Sequence, residues 1–165
     1  MGKKLSSTME EYLEAIAALK SKGETVVRVK DISKALSVKS STVNSALKTL
    51  SEKGYVRHQR YGYVVLTSKG CEVADEVQRR HDIILEFLTR VLSISPKMAS
   101  QDACKIEHTL SHETFSRLTK FIEFIETGVD QGNPQWLKSF KNYIRTGEKL
   151  RCSARARCQK AQKKG

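Results

Sequence analysis

The chain has 165 residues, 39% hydrophobic and 29% charged, and 30 Lys+Arg against 18 Asp+Glu give a net charge of +12. That length suits one domain or two small ones sharing a core. The sequence has no apolar run long enough to span a bilayer and no apolar stretch in Met1–Leu5, so the expectation is a cytoplasmic protein, neither membrane-embedded nor secreted.

The first predicted element is a helix from about Ser7 to Lys22, in which Met9, Tyr12, Leu13, Ile16, Ala17 and Leu19 recur at helical spacing. Ser7 or Thr8 can cap it, Glu10 and Glu11 suit the positive end of its dipole, and Gly23 stops it. Val26–Val29 reads as a short extended piece or the lead into a two-turn helix over 30–36, with Ile32, Ala35 and Leu36 inward. After the turn Ser37-Val38-Lys39, Ser40 or Ser41 caps a third helix to Lys53, with Val43, Leu47 and Leu50 on one face and Gly54 at its end. Two short helices, a tight turn and a Ser/Thr-rich second helix form the helix-turn-helix pattern. Tyr55–Arg60 and Tyr63–Thr67 then read as two strands around Gly62, a wing.

Thr67-Ser68 opens a long helix to about Leu92, with Val73, Val77, Ile84, Leu88 and Val91 along one side. Ser95-Pro96 opens another helical stretch, and 102–110, 113–126 and 136–150 are expected as further helices. The fold class is mainly α. The expected domains are a winged helix-turn-helix over 1–70, a helical unit over 71–140 and a basic extension over 141–165.

Charge follows the same division. Residues 24–70 carry 9 basic and 3 acidic groups, residues 71–140 carry 8 and 11, and residues 141–165 carry 9 and 1. A basic winged helix points to double-stranded DNA as the partner. Ser37, Lys39, Ser40, Ser41 and Thr42 are the candidate contacts at the turn and recognition-helix start, and Asn44, Ser45 and Lys48 lie on the outward side. Asn is the natural bidentate partner of adenine, and Ser and Thr hydroxyls mostly contact phosphate. Arg57 and Arg60 on the wing, with Lys53 beside it, supply salt-dependent affinity.

Cys71, Cys104, Cys152 and Cys158 are sparse, which predicts free thiols in a reducing compartment, and the Cys152/Cys158 spacing is not that of a zinc knuckle. Cys104, Glu107 and His108 stand at i, i+3 and i+4, one face of a helix. Thiolate, carboxylate and imidazole are ligands for late first-row divalent metals. Glu11 and Glu14 repeat the i, i+3 spacing, and His81 lies in the long helix. On the residues alone these six are either converging metal ligands or solvated surface groups around a small buried cysteine.

A resemblance separates the two. Met9–Ile16, the helix-turn-helix, Leu66–Gly70, Arg80-His81 and Cys104–Ser111 follow one another in the order seen in the diphtheria toxin repressor family, and the similarity covers about residues 5–126. The resemblance implies a metal-dependent repressor: a winged-helix domain joined to a helical metal-binding and dimerisation domain, acting as a homodimer on the operators of metal-uptake genes. It places the metal ligands at Glu11, Glu14, His81, Cys104, Glu107 and His108. Glu11 holds the position that is Met in the iron branch and Asp in the manganese branch, whereas Cys104 follows the iron branch. Leu85 and Ser100 replace two ligands of the iron branch's ancillary site. Fe(II) is therefore expected first and Mn(II) second, with Zn(II), Co(II) or Ni(II) able to bind in vitro. In this mechanism the cation neutralises a self-repelling carboxylate cluster, ties the first helix to the second domain, and sets the two recognition helices of a dimer ~34 Å apart.

Two alternatives compete. One is a metal-independent winged-helix regulator sensing redox state through Cys104 or Cys152/Cys158. The other is an enzyme with a Cys104–His108 nucleophile–base pair, for which no oxyanion-hole element is visible; the expectation is that the chain is not an enzyme.

Overall fold

The structure is a computed structural model that describes residues 5–21, 26–58, 62–127 and 134–148. Arg60 and the tail bearing Cys152 and Cys158 lie outside the described residues.

Helix α1 (Ser7–Ser21) buries Tyr12, Leu13 and Ile16, one apolar stripe of the amphipathic repeat. The extended lead after it is a two-residue strand, β1 (Val27–Arg28), which runs straight into α2 (Val29–Leu36). The Asp31 carboxylate accepts the Arg28 backbone N–H at 3.0 Å and so fixes the helix start. Ile32 is buried as expected, but Ala35 is exposed, because a two-turn helix turns only one narrow stripe to the core. Ser37, left-handed at φ 55°, ends α2 with its N–H on the Lys34 carbonyl.

Helix α3 (Ser40–Glu52) starts one residue earlier than expected. Its N-cap is Lys39, without a side-chain cap bond, so neither Ser40 nor Ser41 caps it. Both serines remain exposed in its first turn. Val43, Ala46, Leu47 and Leu50 form the inner face. The wing strands are β2 (Val56–His58) and β3 (Tyr63–Leu66), antiparallel with Arg57 opposite Val65. β1 adds to the far edge of β3, giving the order β1-β3-β2.

Helix α4 (Ser68–Glu86) is capped by Thr67, whose Oγ1 accepts from Gly70 N–H at 3.1 Å and also reaches the Gly54 carbonyl at 2.7 Å. Gly70 is required here: a Cβ would overlap the Tyr55 carbonyl, so α4 meets the wing at backbone distance. α4 continues through a π turn at Phe87–Val91, where Leu92 N–H reaches the Phe87 carbonyl.

Helix α5 (Pro96–Ile106) is one helix where the sequence suggested a break near residue 102. Ala99 and Ala103, both buried, form a continuous small stripe against Ile84 and Leu88, so nothing interrupts it. It stops at Ile106, whose carbonyl takes the Thr109 and Leu110 N–H groups and the Thr109 hydroxyl. Glu107 is therefore the C-cap and His108 lies in the following turn. Helices α6 (His112–Thr127) and α7 (Gln135–Thr146) complete the described chain.

The first core cluster joins α1, α2, α3 and the sheet and includes Ala74 of α4. The others join the far end of α4 to α5, α6 and α7 through Ile84, Leu88, Val91, Ile122 and Leu137. Helix α4 thus enters the first cluster through Ala74 and the second through Ile84, and carries His81 between these two positions.

Candidate metal centre and DNA-facing surface

Three elements meet around Glu107. Helix α1 supplies Glu10, Glu11 and Glu14, α4 supplies Arg80 and His81, and the end of α5 supplies Cys104, Glu107 and His108. Glu107, still in helical conformation with its N–H on the Ala103 carbonyl, is turned fully inward, with 0% of its surface exposed, while Cys104 one turn earlier is exposed. The single helical face expected for Cys104, Glu107 and His108 is thereby split: two point into the site and one stands at its mouth.

Glu107 Oε2 lies 2.8 Å from His81 Nδ1. Its other oxygen, Oε1, is 3.3 Å from His108 Nε2 without hydrogen-bond geometry. Both of these atoms are buried and have no hydrogen-bond partner among the described residues. Ligand atoms of Glu14, Glu107 and His108 all lie within 4.8 Å of one another. Of the six expected ligands, these three are brought together. His81 is attached through Glu107. Glu11 and Cys104 are exposed and line two clefts: one toward Ser100, Lys105 and His108, the other toward Glu14, Ala35 and Leu36. Shared walls make the clefts two openings of one site.

Burial and crowded negative charge shift three groups of the site. Burial pushes the Glu14 carboxyl above the usual range, and Glu11 adds to this against the opposing pull of His108 and His81. Burial raises Glu107 likewise, reinforced by Glu14 and opposed by its bond to His81. The Cys104 thiol is raised by burial first, then by the charges of Glu107, Glu14 and Glu11. Two orphaned buried atoms, two carboxylates held toward protonation and an adjacent thiol make a donor set that fits a divalent transition metal.

Glu10 is the residue that sequence reasoning missed. Its first-turn position reads as a helix-dipole companion, yet it is 5% exposed and its Oε2 lies 3.0 Å from His108 Nδ1. The only sequence signal was its place one turn before Glu14, on the face shared with buried Leu13 rather than with exposed Glu11.

Along the α2–α3 turn and α3, Ser37, Lys39, Ser40, Ser41, Thr42, Asn44, Ser45 and Lys48 are all exposed. Arg57 on β2 is exposed beside them. The Ser45 and Thr49 hydroxyls return bonds to carbonyls of their own helix, at 3.1 and 3.3 Å. No helix among the described residues is long and apolar enough to cross a membrane.

The chain matches the family model "iron dependent repressor, N-terminal DNA binding domain" over residues 4–64. It matches "iron dependent repressor, metal binding and dimerisation domain" over residues 67–137. An HTH-type transcriptional regulator of Methanocaldococcus jannaschii is 36% identical over 119 residues, 72% of this chain and 95% of that protein. The manganese regulator SloR is 29% identical with a TM-score of 0.62, over 70% of this chain and 54% of that one. A manganese-dependent transcriptional repressor, solved in complex with manganese, is 27% identical with a TM-score of 0.65, over 70% and 53%. The chain thus spans about half the length of these two solved proteins. Family models in succession, and a relative matched over nearly its whole length, agree with the winged helix and the inward donor cluster: this chain belongs to the iron-dependent repressor family of metal-responsive transcriptional regulators, which are not enzymes.

Proposed function

We propose that this chain is a cytoplasmic repressor that binds operator DNA as a homodimer when its inter-helix site holds Fe(II), with Mn(II) as the second choice, and that it controls metal-uptake genes. The observation carrying this is the pair of orphaned atoms, Glu107 Oε1 and His108 Nε2, beside Glu14. Glu14, Glu107 and His108 would hold the cation, with Glu11, His81 and Cys104 completing the set. When bound, the cation supplies the positive charge that the carboxylates of α1 and α5 lack. Cys104 favours Fe(II) over Mn(II), because a thiolate softens the site, and the same softness admits Zn(II), Co(II) or Ni(II) in vitro.

The chain's own residues account for coupling to DNA. Glu14 lies on α1, which packs on α2 and on α3, the expected recognition helix. Relief of repulsion between Glu14 and Glu107 would tie α1, which already packs on α4, to the end of α5, and with it the helix bearing Asn44 and Lys48. Self-association is supported by apolar surface on α6 and α7, where Phe124 is 65% and Trp136 43% exposed.

The redox alternative fares worse at Cys104. Reactive cysteines sit in electropositive surroundings that stabilise the thiolate, whereas burial first, and then the charges of Glu107, Glu14 and Glu11, push this thiol up. The test is binding of the full chain to duplex DNA selected from a randomised pool, with Fe(II) or Mn(II) and with chelator. Loss of binding in chelator supports the proposal, and unchanged binding removes it.

A further inference from the structure

Glu10 is a buried carboxylate that the cation site does not use directly. Its oxygens are not part of the group formed by Glu14, Glu107 and His108. Its Oε2 instead faces His108 Nδ1 at 3.0 Å and Arg80 Nη1 at 4.0 Å. Arg80 is in turn held by Glu76, whose Oε1 accepts from Arg80 Nε at 3.2 Å. The chain Glu76–Arg80–Glu10–His108 therefore crosses from α4 to α1 to the end of α5.

We infer that Glu10 is a positioning residue for the cation site: by accepting the Nδ1–H of His108, it leaves Nε2 free to bind and aimed at Glu107 Oε1. The inference rests on the cation-site proposal above and deepens it. An imidazole has two nitrogens, and the one that does not carry the proton is the one that can ligate. Glu10 Oε2 can only accept, so it selects the tautomer with the proton on Nδ1. It also fixes rotation of the ring, whose far nitrogen lies 3.3 Å from Glu107 Oε1. Arg80 Nη1, 4.0 Å from Glu10 Oε2, sets a positive charge beside this buried carboxylate. A carboxylate behind a ligating imidazole raises the basicity of that imidazole, and loss of such a partner typically costs ~10–100-fold in metal affinity.

The test is Co(II) binding to the full-length protein, read by affinity and visible absorption, for the parent, Glu10→Gln, Glu10→Ala and Arg80→Gln. Glu10→Ala should lose ~10–100-fold in Co(II) affinity and alter the d–d bands. Glu10→Gln keeps an acceptor oxygen at the same reach and should recover most of the affinity and the parent spectrum. A residue that merely glues α1 to α5 would change thermal stability without changing the spectrum. Arg80→Gln leaves Glu10 in place and should fall between parent and Glu10→Ala, which serves if the alanine variant does not fold. Parent-like affinity and spectrum in Glu10→Ala, or in Arg80→Gln where the alanine variant does not fold, overturns the inference, as does Glu10→Gln matching the alanine variant. A parent protein that binds no Co(II) overturns instead the cation-site proposal on which the inference rests.

Discussion

Glu107 Oε1 and His108 Nε2 stand 3.3 Å apart in the buried junction of α1, α4 and α5, and neither has a hydrogen-bond partner among the described residues. Leaving a buried polar atom unpaired costs about 1–3 kcal/mol. Adjacent residues bear this cost together, which fits a site built for a ligand rather than for the apo fold alone. A cation at 100 times its Kd should stabilise the protein by about 2.7 kcal/mol, or roughly 5–10 °C in Tm for a chain of this size. Glu107→Gln and His108→Ala should each abolish most of that rise in a thermal melt with Mn(II) or Co(II). A full rise in both variants would place the ion elsewhere.

Proton competition gives the second expectation. Glu14 and Glu107 are raised in the folded protein, chiefly by burial. The folded state then keeps protons that the unfolded chain releases. Stability from these two groups is fully present below the ordinary carboxylate range and falls as pH rises through the raised folded values. A cation must displace those protons, so its stabilising effect should grow over the same window. Melts with and without Mn(II) between about pH 5 and about pH 8 check this; an increment that shrinks with pH runs against it.

Cys104 sets the third. Its thiol lines both clefts, where burial and then the charges of three carboxylates raise it. Cys104→Ser should weaken Co(II) and Zn(II) far more than Mn(II), because a hydroxyl is a hard, poor ligand for the softer ions. Thiolate-to-Co(II) charge-transfer absorption should vanish in the same variant. Equal losses for all three ions would take Cys104 out of the ligand set.

DNA contact is the fourth. Lys39 and Lys48 are exposed on the recognition-helix side, and Asn44 lies between them in sequence. Lys39→Ala and Lys48→Ala should weaken binding to every duplex alike and each reduce the salt slope by about 1. Asn44→Ala should instead cost about 1–3 kcal/mol and relax preference at one base position. Fluorescence anisotropy across a salt series separates the two kinds of loss. Uniform, salt-independent effects in all three variants would argue against this face.

Much of this architecture is visible in the residues because it rests on local signals. The stripe Tyr12, Leu13, Ile16, the inner face Val43, Leu47, Leu50 and the Thr67 cap all follow from spacing and side-chain chemistry along one segment. What escaped depends on neighbours far away in sequence. The extended piece at Val27–Arg28 was legible, but its partner was not: it joins the edge of β3, with Val27 opposite Val64. Glu107 is buried against His81, 26 positions earlier, while Cys104 one turn before it stays exposed. Glu10 has the same local sequence features whether it is solvated or buried. Only the approach of His108, 98 positions later, gives it a task.

The central claim is a coupling between the cation site and the DNA-binding helix, and such coupling is reciprocal. The most direct measurement is Mn(II) or Fe(II) affinity of the full chain with and without saturating operator duplex. Cation should tighten DNA binding, and DNA should tighten cation binding, by one and the same factor of about 5–150. Cation affinity unchanged by operator DNA, with the duplex shown to be bound, would contradict the account.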